Sequence, residues 1–148
     1  MKSLFLRAGV VVFLDQLTKF AIRRSFLPGQ GQVVWPKVFH LSYVQNPGAA
    51  FGLLQNQTWL LVAVTIVIMV LIILYAGRTE FQTPLLRWSL SSVLGGAVGN
   101  LIDRVRFGYV IDFLDFRVWP VFNIADMAIV AGVGLLIVCL LRSGEKLV

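Results

Sequence analysis

Residues 59–75 read WLLVAVTIVIMVLIILY and contain no charged side chain. A helix needs about 20 mostly apolar residues to cross a bilayer, so this stretch predicts a transmembrane helix. Three further apolar stretches, which do contain charged residues, predict spans at about 4–22, 83–102 and 122–141. We therefore expect an all-α membrane protein with four transmembrane helices and with both termini on one side of the membrane.

The composition agrees with a membrane protein and excludes several other classes. The chain has 148 residues, of which 58% are hydrophobic and 14% are charged, far from the usual content of a soluble domain. The net charge of +6 comes from Lys and Arg at the ends of apolar runs, where they meet headgroups, so we expect no nucleic-acid partner. A single cysteine, Cys139, and a single histidine, His40, exclude a Cys/His metal site. We expect one integral-membrane domain over residues 1–148, present as a monomer without metal or cofactor.

The two loops on the side opposite the termini, at about 23–58 and 103–121, differ in kind. In the first, Phe39, Leu41 and Tyr43 alternate with other residues, which predicts a short strand and a small β-containing region on the membrane surface. The second loop is rich in apolar and aromatic residues, and we expect it to dip into the membrane interface. Basic residues are equally frequent on the two sides, so the charge rule does not determine which side is cytoplasmic.

Two aspartates, Asp112 and Asp126, stand among residues that belong in lipid. A carboxylate near hydrocarbon costs about 2.5–3.5 kcal/mol, so such residues usually have a function. The uncharged stretch 127–141 makes only about 22 Å of helix, less than a bilayer core, which predicts Asp126 near the membrane boundary. Asp115 lies three residues after Asp112, and local chemistry does not choose between them. Because no serine adjoins a plausible base, the carboxylates remain as the candidate catalytic groups.

Other polar residues lie at helix positions that predict contacts with each other. Asp15 and Lys19 are four residues apart on the first helix, which favours an ion pair over a contact with substrate. Asn100 and Arg104 share a face with Asp103 at the end of the third helix, either as a solvated cluster or as the wall of a site.

Two further features concern the helix ends and the helix packing. Asn123 precedes the fourth helix and predicts an N-cap. Gly95 and Gly99 form a small-xxx-small pattern, which favours close helix packing and would hold Asn100 rigidly.

The intramembrane acids leave other classes open. A small proton- or ion-coupled membrane transporter also uses such acids, but near the bilayer centre. A non-enzymatic assembly partner would explain the glycine face and the Asp15–Lys19 pair, but not the Asn and Asp residues at two helix ends.

Five sequence blocks resemble, in their order, the signature blocks of the lipoprotein signal peptidases (signal peptidase II). They read DQLTK at 15–19, NPGAAFG at 46–52, GNLIDR at 99–104, VIDF at 110–113 and FNIAD at 122–126. Together they extend over most of the chain. The resemblance implies an aspartic endopeptidase of the bacterial inner membrane, with cytoplasmic termini and an extracytoplasmic active site. Its substrates would be prolipoproteins, cleaved before a cysteine that carries diacylglycerol.

The resemblance also implies roles for single residues. Asp112, rather than Asp115, and Asp126 match the two catalytic aspartates. Five residues fall on positions that the family uses around the site. Asp15 falls on a position that supports the fold and the site, and Lys19 lies in the same sequence block. The five are Asn46, Gly48, Asn100, Arg104 and Asn123. The stretch between the two aspartates is shorter than in the best-known members of the family.

Overall fold

The computed structural model describes residues 1–48, 54–78 and 83–144. Within these residues the chain forms four helices, and each predicted span falls on one of them. The helices are α1 (Lys2–Ser25), α2 (Thr58–Ala76), α3 (Pro84–Phe107) and α4 (Ile124–Gly144). The part of the 46–52 block beyond residue 48 lies outside the described residues.

Two of the described helices are long and apolar enough to cross a membrane. They are α2, with a mean hydropathy of 2.9, and the Ile124–Arg142 part of α4, with a mean hydropathy of 2.6. Helices α1 and α3 are as long but contain charged residues. The fold is therefore mostly helical, as predicted.

Helix α3 extends beyond its predicted span at the end that carries the polar residues. Its start is capped by Thr83, whose hydroxyl accepts a hydrogen bond from the Leu86 N–H at 3.2 Å, and Pro84 occupies the first turn. It ends at Phe107 and is followed by Gly108, which has the left-handed φ of 80° common after a helix. The sequence prediction stopped at residue 102 because hydropathy falls there, but a helix can continue once it has left the apolar layer.

The glycines of α3 bring three helices together, as the small-xxx-small pattern predicts. A Cβ added at Gly95 would lie 2.7 Å from Val11 Cβ of α1. A Cβ at Gly99 would lie 2.6 Å from an Asp15 carboxylate oxygen, and one at Gly96 would collide with the backbone of Ala125 in α4. Because α1 and α4 pack closely on either side of α3, their polar residues meet near its end.

A three-stranded antiparallel sheet lies beyond this end of the helices. Its strands, in spatial order, are β1 (Gly31–Trp35), β2 (Phe39–Asn46) and β3 (Val110–Asp115). The predicted strand around residues 38–43 corresponds to β2, whereas β1 and β3 were not predicted. In the sheet, Val44 of β2 pairs with Asp112 of β3, and a bulge interrupts the register between Leu41 and Val44.

The apolar loop predicted at 103–121 contains a buried part and an exposed part. Val110, Ile111 and Phe113 are buried against the protein, and the last two share a core with Ile22 of α1. Their apolar character therefore serves the packing of the sheet rather than contact with lipid. Within the predicted loop, Trp119 is exposed, as a residue at a membrane interface would be.

Candidate active site

Asp112 and Asp126 reach a common site from a strand and from a helix. Asp112 stands in β3 and is only 2% exposed, while Asp126 stands in the first turn of α4 and is half-buried. Both line one cavity of about 1050 Å³. The fold thus brings together the two aspartates selected by the resemblance, although they are 14 residues apart in the sequence.

Two asparagine side chains connect the carboxyl groups. Asn123 Nδ2 donates to Asp112 Oδ1 at 2.7 Å, and Asn100 Nδ2 donates to Asp126 Oδ1 at 2.7 Å. The asparagines also contact each other, because Asn123 Nδ2 donates to Asn100 Oδ1 at 3.2 Å. Hydrogen bonds with charged groups are shorter and stronger than neutral ones, so this network fixes both carboxyl groups.

Asn123 also caps helix α4, as predicted. Its Oδ1 accepts from the Asp126 N–H at 2.9 Å, and the Asp126 carboxylate accepts from the Asn123 N–H at 3.3 Å. This is a capping box in which Asp126 takes the third helical position. The direction of the Asp126 side chain therefore follows from the way the helix begins.

A turn after β2 supplies a third contact to Asp112. Asn46 Nδ2 donates to Asp112 Oδ2 at 2.9 Å, and Asn46 Oδ1 accepts from the Gly48 N–H at 3.0 Å. Arg104 donates from a guanidinium nitrogen to the Gly48 carbonyl at 3.3 Å. Asn46 thus holds one carboxyl oxygen of Asp112 while Asn123 holds the other, and Gly48 holds Asn46.

Asp15 and Lys19 form the predicted ion pair. Lys19 Nζ lies 2.8 Å from an Asp15 oxygen and 2.9 Å from an Asp103 oxygen, and it donates to Asn100 Oδ1 at 3.0 Å. All three of the charged groups are almost fully buried. They are not among the described residues that line the cavity, so they lie behind it.

Asp115, the local rival of Asp112, points elsewhere. It binds Arg117 at 3.0 Å and accepts from the Ser42 hydroxyl at 3.2 Å. Because burial alone would raise the pKa of Asp115, the hydrogen bonds and charge of Arg117 must outweigh it, and the pKa lies below its usual value. Asp115 is not among the described residues that line the cavity.

The electrostatics of Asp112 differ from those of an ordinary aspartate. Burial raises the pKa of Asp112 to about 7, and the nearby Asp126 carboxylate adds to the effect. Hydrogen bonds from Asn46 and Asn123 and the charge of Lys19 act in the opposite direction. At neutral pH Asp112 therefore holds a proton for part of the time, as a group that both donates and accepts protons must.

The rest of the cavity wall is mostly apolar and was largely missed by the sequence analysis. The additional lining residues include Gln45, Gln55, Trp119, Val121, Ile129 and Val130. The last two lie on α4, about two helical turns beyond Asn123. Their spacing from Asp126 could have revealed them, because residues three and four apart share a helix face. Among the described residues, no group of three His, Cys, Asp or Glu side chains could hold a metal ion.

Comparisons with known proteins agree with this geometry. A family model described as Signal peptidase (SPase) II matches residues 7–142. A lipoprotein signal peptidase of Moorella thermoacetica is 54% identical over 144 residues, which cover 95% of this chain and 95% of that protein. One of Pelotomaculum thermopropionicum is 46% identical over 143 residues, which cover 97% and 94%. A solved bacterial membrane enzyme has a TM-score of 0.92 and 31% identity, and the match covers 99% of this chain and 92% of that chain. This chain therefore belongs to the signal peptidase II family and is a peptidase.

Proposed function

We propose that this protein is an aspartic endopeptidase that removes the signal peptide from lipid-modified bacterial prolipoproteins, cutting before the lipidated cysteine. The observation that carries the proposal is that Asp112 and Asp126 line one cavity and are connected through Asn123 and Asn100. Because the family consists of peptidases, neither the transporter nor the assembly partner is retained as an alternative.

The chemistry follows from two carboxyl groups that share one proton. Two neighbouring carboxylates repel each other, so the pair is most stable as a monoanion, and the proton belongs to the pair rather than to either member. The ionised carboxylate takes a proton from a water molecule, and the water oxygen attacks the scissile carbonyl carbon. The protonated carboxyl group donates a hydrogen bond to the carbonyl oxygen.

Collapse of the tetrahedral intermediate completes the reaction. The carbon–nitrogen bond breaks, and the proton taken from the water is transferred to the leaving amine. The products are the carboxyl terminus of the signal peptide and the amino group of the lipidated cysteine. Asn46, Asn100 and Asn123 orient the two carboxyl groups throughout, since each donates to one of them.

The turn at Asn46–Gly48 and Arg104 form the polar side of the site. Arg104 fixes the Gly48 carbonyl and brings a positive charge to the cavity, where it favours the monoanionic pair. The substrate backbone would bind along this side. The apolar wall, which includes Val121 and Val130, would receive the signal helix and the acyl chains.

The exposed apolar surface supports the proposed arrangement in the membrane. All four helices cross the bacterial inner membrane as one domain, with cytoplasmic termini and the site at the extracytoplasmic face. Exposed apolar side chains along the helices support contact with membrane lipids. They include Phe13, Trp59, Leu74 and Ile137. The site lies where α1 and α3 end and α4 begins, so the peptide bond is cut where lipid meets water.

The test is cleavage of a lipidated peptide by the purified protein in detergent. The peptide carries a diacylglyceryl cysteine after a short signal segment, and the products are identified by mass spectrometry. Asp112→Ala and Asp126→Ala should abolish cleavage, while Asp115→Ala, which removes an aspartate from the same strand but outside the cavity, should retain it. Cleavage at the wild-type rate by either of the first two variants would refute the assignment.

A further inference from the structure

Helix α1 holds a buried lysine that contacts neither carboxyl group of the proposed pair but is connected to both. Lys19 is 1% exposed and lies behind the cavity wall. An ammonium group has three protons to donate and no lone pair. All three are used, because Asp15, Asp103 and Asn100 each receive one, at 2.8, 2.9 and 3.0 Å.

Each carboxylate bound to Lys19 also holds the backbone beside one of the proposed catalytic aspartates. Asp15 Oδ1 accepts from the N–H of Ala125, the residue before Asp126, at 2.9 Å. Asp103 Oδ2 accepts from the N–H of Ile111, the residue before Asp112, at 3.1 Å. The start of α4 and the middle of β3 are therefore attached to the same ammonium group through equivalent contacts.

The third contact determines the orientation of an amide. Because Lys19 only donates, Asn100 must present its oxygen to Lys19 and its NH₂ group to Asp126. The same oxygen accepts from Asn123, which directs the other NH₂ proton of Asn123 to Asp112. A neutral side chain in place of Lys19 would leave the Asn100 oxygen with its contact to Asn123 alone and would leave two interior carboxylates without their counter-charge.

We infer that Lys19 is a positioning residue for the peptidase reaction, which sets the separation and hydrogen bonding of Asp112 and Asp126 through Asp15, Asp103 and Asn100. This inference rests on the proposed function. Reaction rates depend steeply on such geometry, and a displacement of about 1 Å can cost about 100-fold in rate. The cluster of one ammonium and two carboxylates lies behind the cavity, and the charge of Lys19 in it acts on Asp112.

The charged groups that face Asp112 come from three helices. Asp126 of α4 opposes the ionisation of Asp112, Lys19 of α1 favours it, and Arg104 of α3 interacts with both aspartates. Asp15 of α1 and Asp103 of α3 bind Lys19, and the adjacent residues of β2 are neutral. Changing Asp103→Asn removes one negative charge but keeps the size of the side chain and an oxygen for Lys19 and Ile111. The pH profile of the reaction should then move to lower pH, because ionisation of Asp112 meets less repulsion.

The experiment uses the full chain in detergent and the lipidated peptide described above, with kcat and KM measured across the pH range. Lys19→Met should lower kcat about 100-fold with little change in KM, as expected from misplacement of reacting groups. Asp103→Asn should shift the whole pH profile to lower pH by about one unit. Lys2→Met, the same substitution at an exposed position of α1, should behave like the wild type.

Two outcomes would overturn the inference: a wild-type kcat in Lys19→Met, or a pH profile of Asp103→Asn that coincides with that of the wild type. A merely structural role would reduce the amount of folded protein without moving the profile. If Lys19→Met does not elute as a folded species, the profile of Asp103→Asn decides alone. Titration of ¹³C-labelled aspartate carboxyl groups by NMR measures the same shift without substrate, so failure of the proposed function remains distinguishable from failure of the inference.

Discussion

Asn123 and Asp126 bind each other reciprocally across the first turn of α4, with the Asp126 N–H donating to the Asn123 side chain at 2.9 Å and the Asn123 N–H donating to the Asp126 carboxylate at 3.3 Å. The side-chain NH₂ group of Asn123 also donates to Asp112, at 2.7 Å. One side chain therefore both begins the helix that carries one proposed catalytic aspartate and holds the other. The stability of the helix and the geometry of the site are coupled through it.

These two roles of Asn123 can be separated by substitution. Asn123→Ala removes the cap and the contact to Asp112, and we expect it to lower the stability by about 1 kcal/mol as well as the cleavage rate. Asn123→Ser restores a capping oxygen but is too short to donate to Asp112, so the stability should recover while the rate stays low. Thermal unfolding in detergent and peptide cleavage measure the two effects. Recovery of both by serine would show that the contact to Asp112 contributes nothing.

The raised pKa of Asp112 predicts how stability depends on pH. Burial raises this pKa from 3.8 to about 7, so the folded protein keeps a proton that the unfolded chain releases above about pH 4. The contribution of this proton is fully present below about pH 4 and is lost as the pH rises through about 7, a change of about 4 kcal/mol. The wild type should therefore lose melting temperature between pH 5 and pH 8 relative to Asp112→Ala.

Asp115 provides the control for this pH dependence. Burial alone would raise its pKa, but the contacts with Arg117 outweigh burial and lower it. Its contribution is therefore present at neutral pH and is lost only as the pH falls below its ordinary range. Asp115→Ala should follow the wild type between pH 5 and pH 8. An equal pH dependence in the wild type and in Asp112→Ala would contradict the assignment of the proton to the buried pair.

Glycine at position 99 is required by the close approach of α1 and α3. A Cβ at Gly99 would lie 2.6 Å from Asp15 Oδ2, and that carboxylate is held on its other side by the Ala125 N–H. Gly99→Ala should displace Asp15, destabilise the protein by about 1–3 kcal/mol and lower the cleavage rate. Gly9→Ala on α1 is the matched control, since nothing lies within 4 Å of its added Cβ. It should stabilise the helix by up to about 1 kcal/mol.

The helices and the pair of aspartates could be predicted from sequence because their signals are local. Hydropathy marked the helix α2 without ambiguity, and the spacing of Asp15 and Lys19 predicted their ion pair. Asn123 as an N-cap was likewise readable from its position before an apolar run. The choice of Asp112 over Asp115 was not local and depended on the resemblance to a family.

The sheet and the connections behind the site could not be predicted in the same way. Strands β1 and β3 are short, and β3 is buried at almost every position because both of its faces are covered, so it lacks the alternation that marks a strand. The contact of Asp103 with the Ile111 N–H depends on the chain turning back at Gly108. The contacts of Lys19 with Asp103 and Asn100 depend on the packing of α1 against α3, which no spacing in a single segment reveals.

Asn46 is neutral although it contacts a carboxyl group, and its replacement by a charged side chain of the same shape tests the electrostatics of the site. Asn46→Asp keeps an oxygen for the Gly48 N–H, so the turn should persist. It removes the Nδ2–H donated to Asp112 and adds a third carboxylate beside the pair, and both changes disfavour ionisation of Asp112. The pH profile of cleavage should therefore move to higher pH by one unit or more, about 1.4 kcal/mol per unit, with lower activity at pH 7.

Gln32→Glu adds the same charge to the exposed strand β1, away from the pair, and should leave the profile in place. A profile that moves equally in both variants would mean that the pair senses the net charge of the sheet rather than its contact with Asn46.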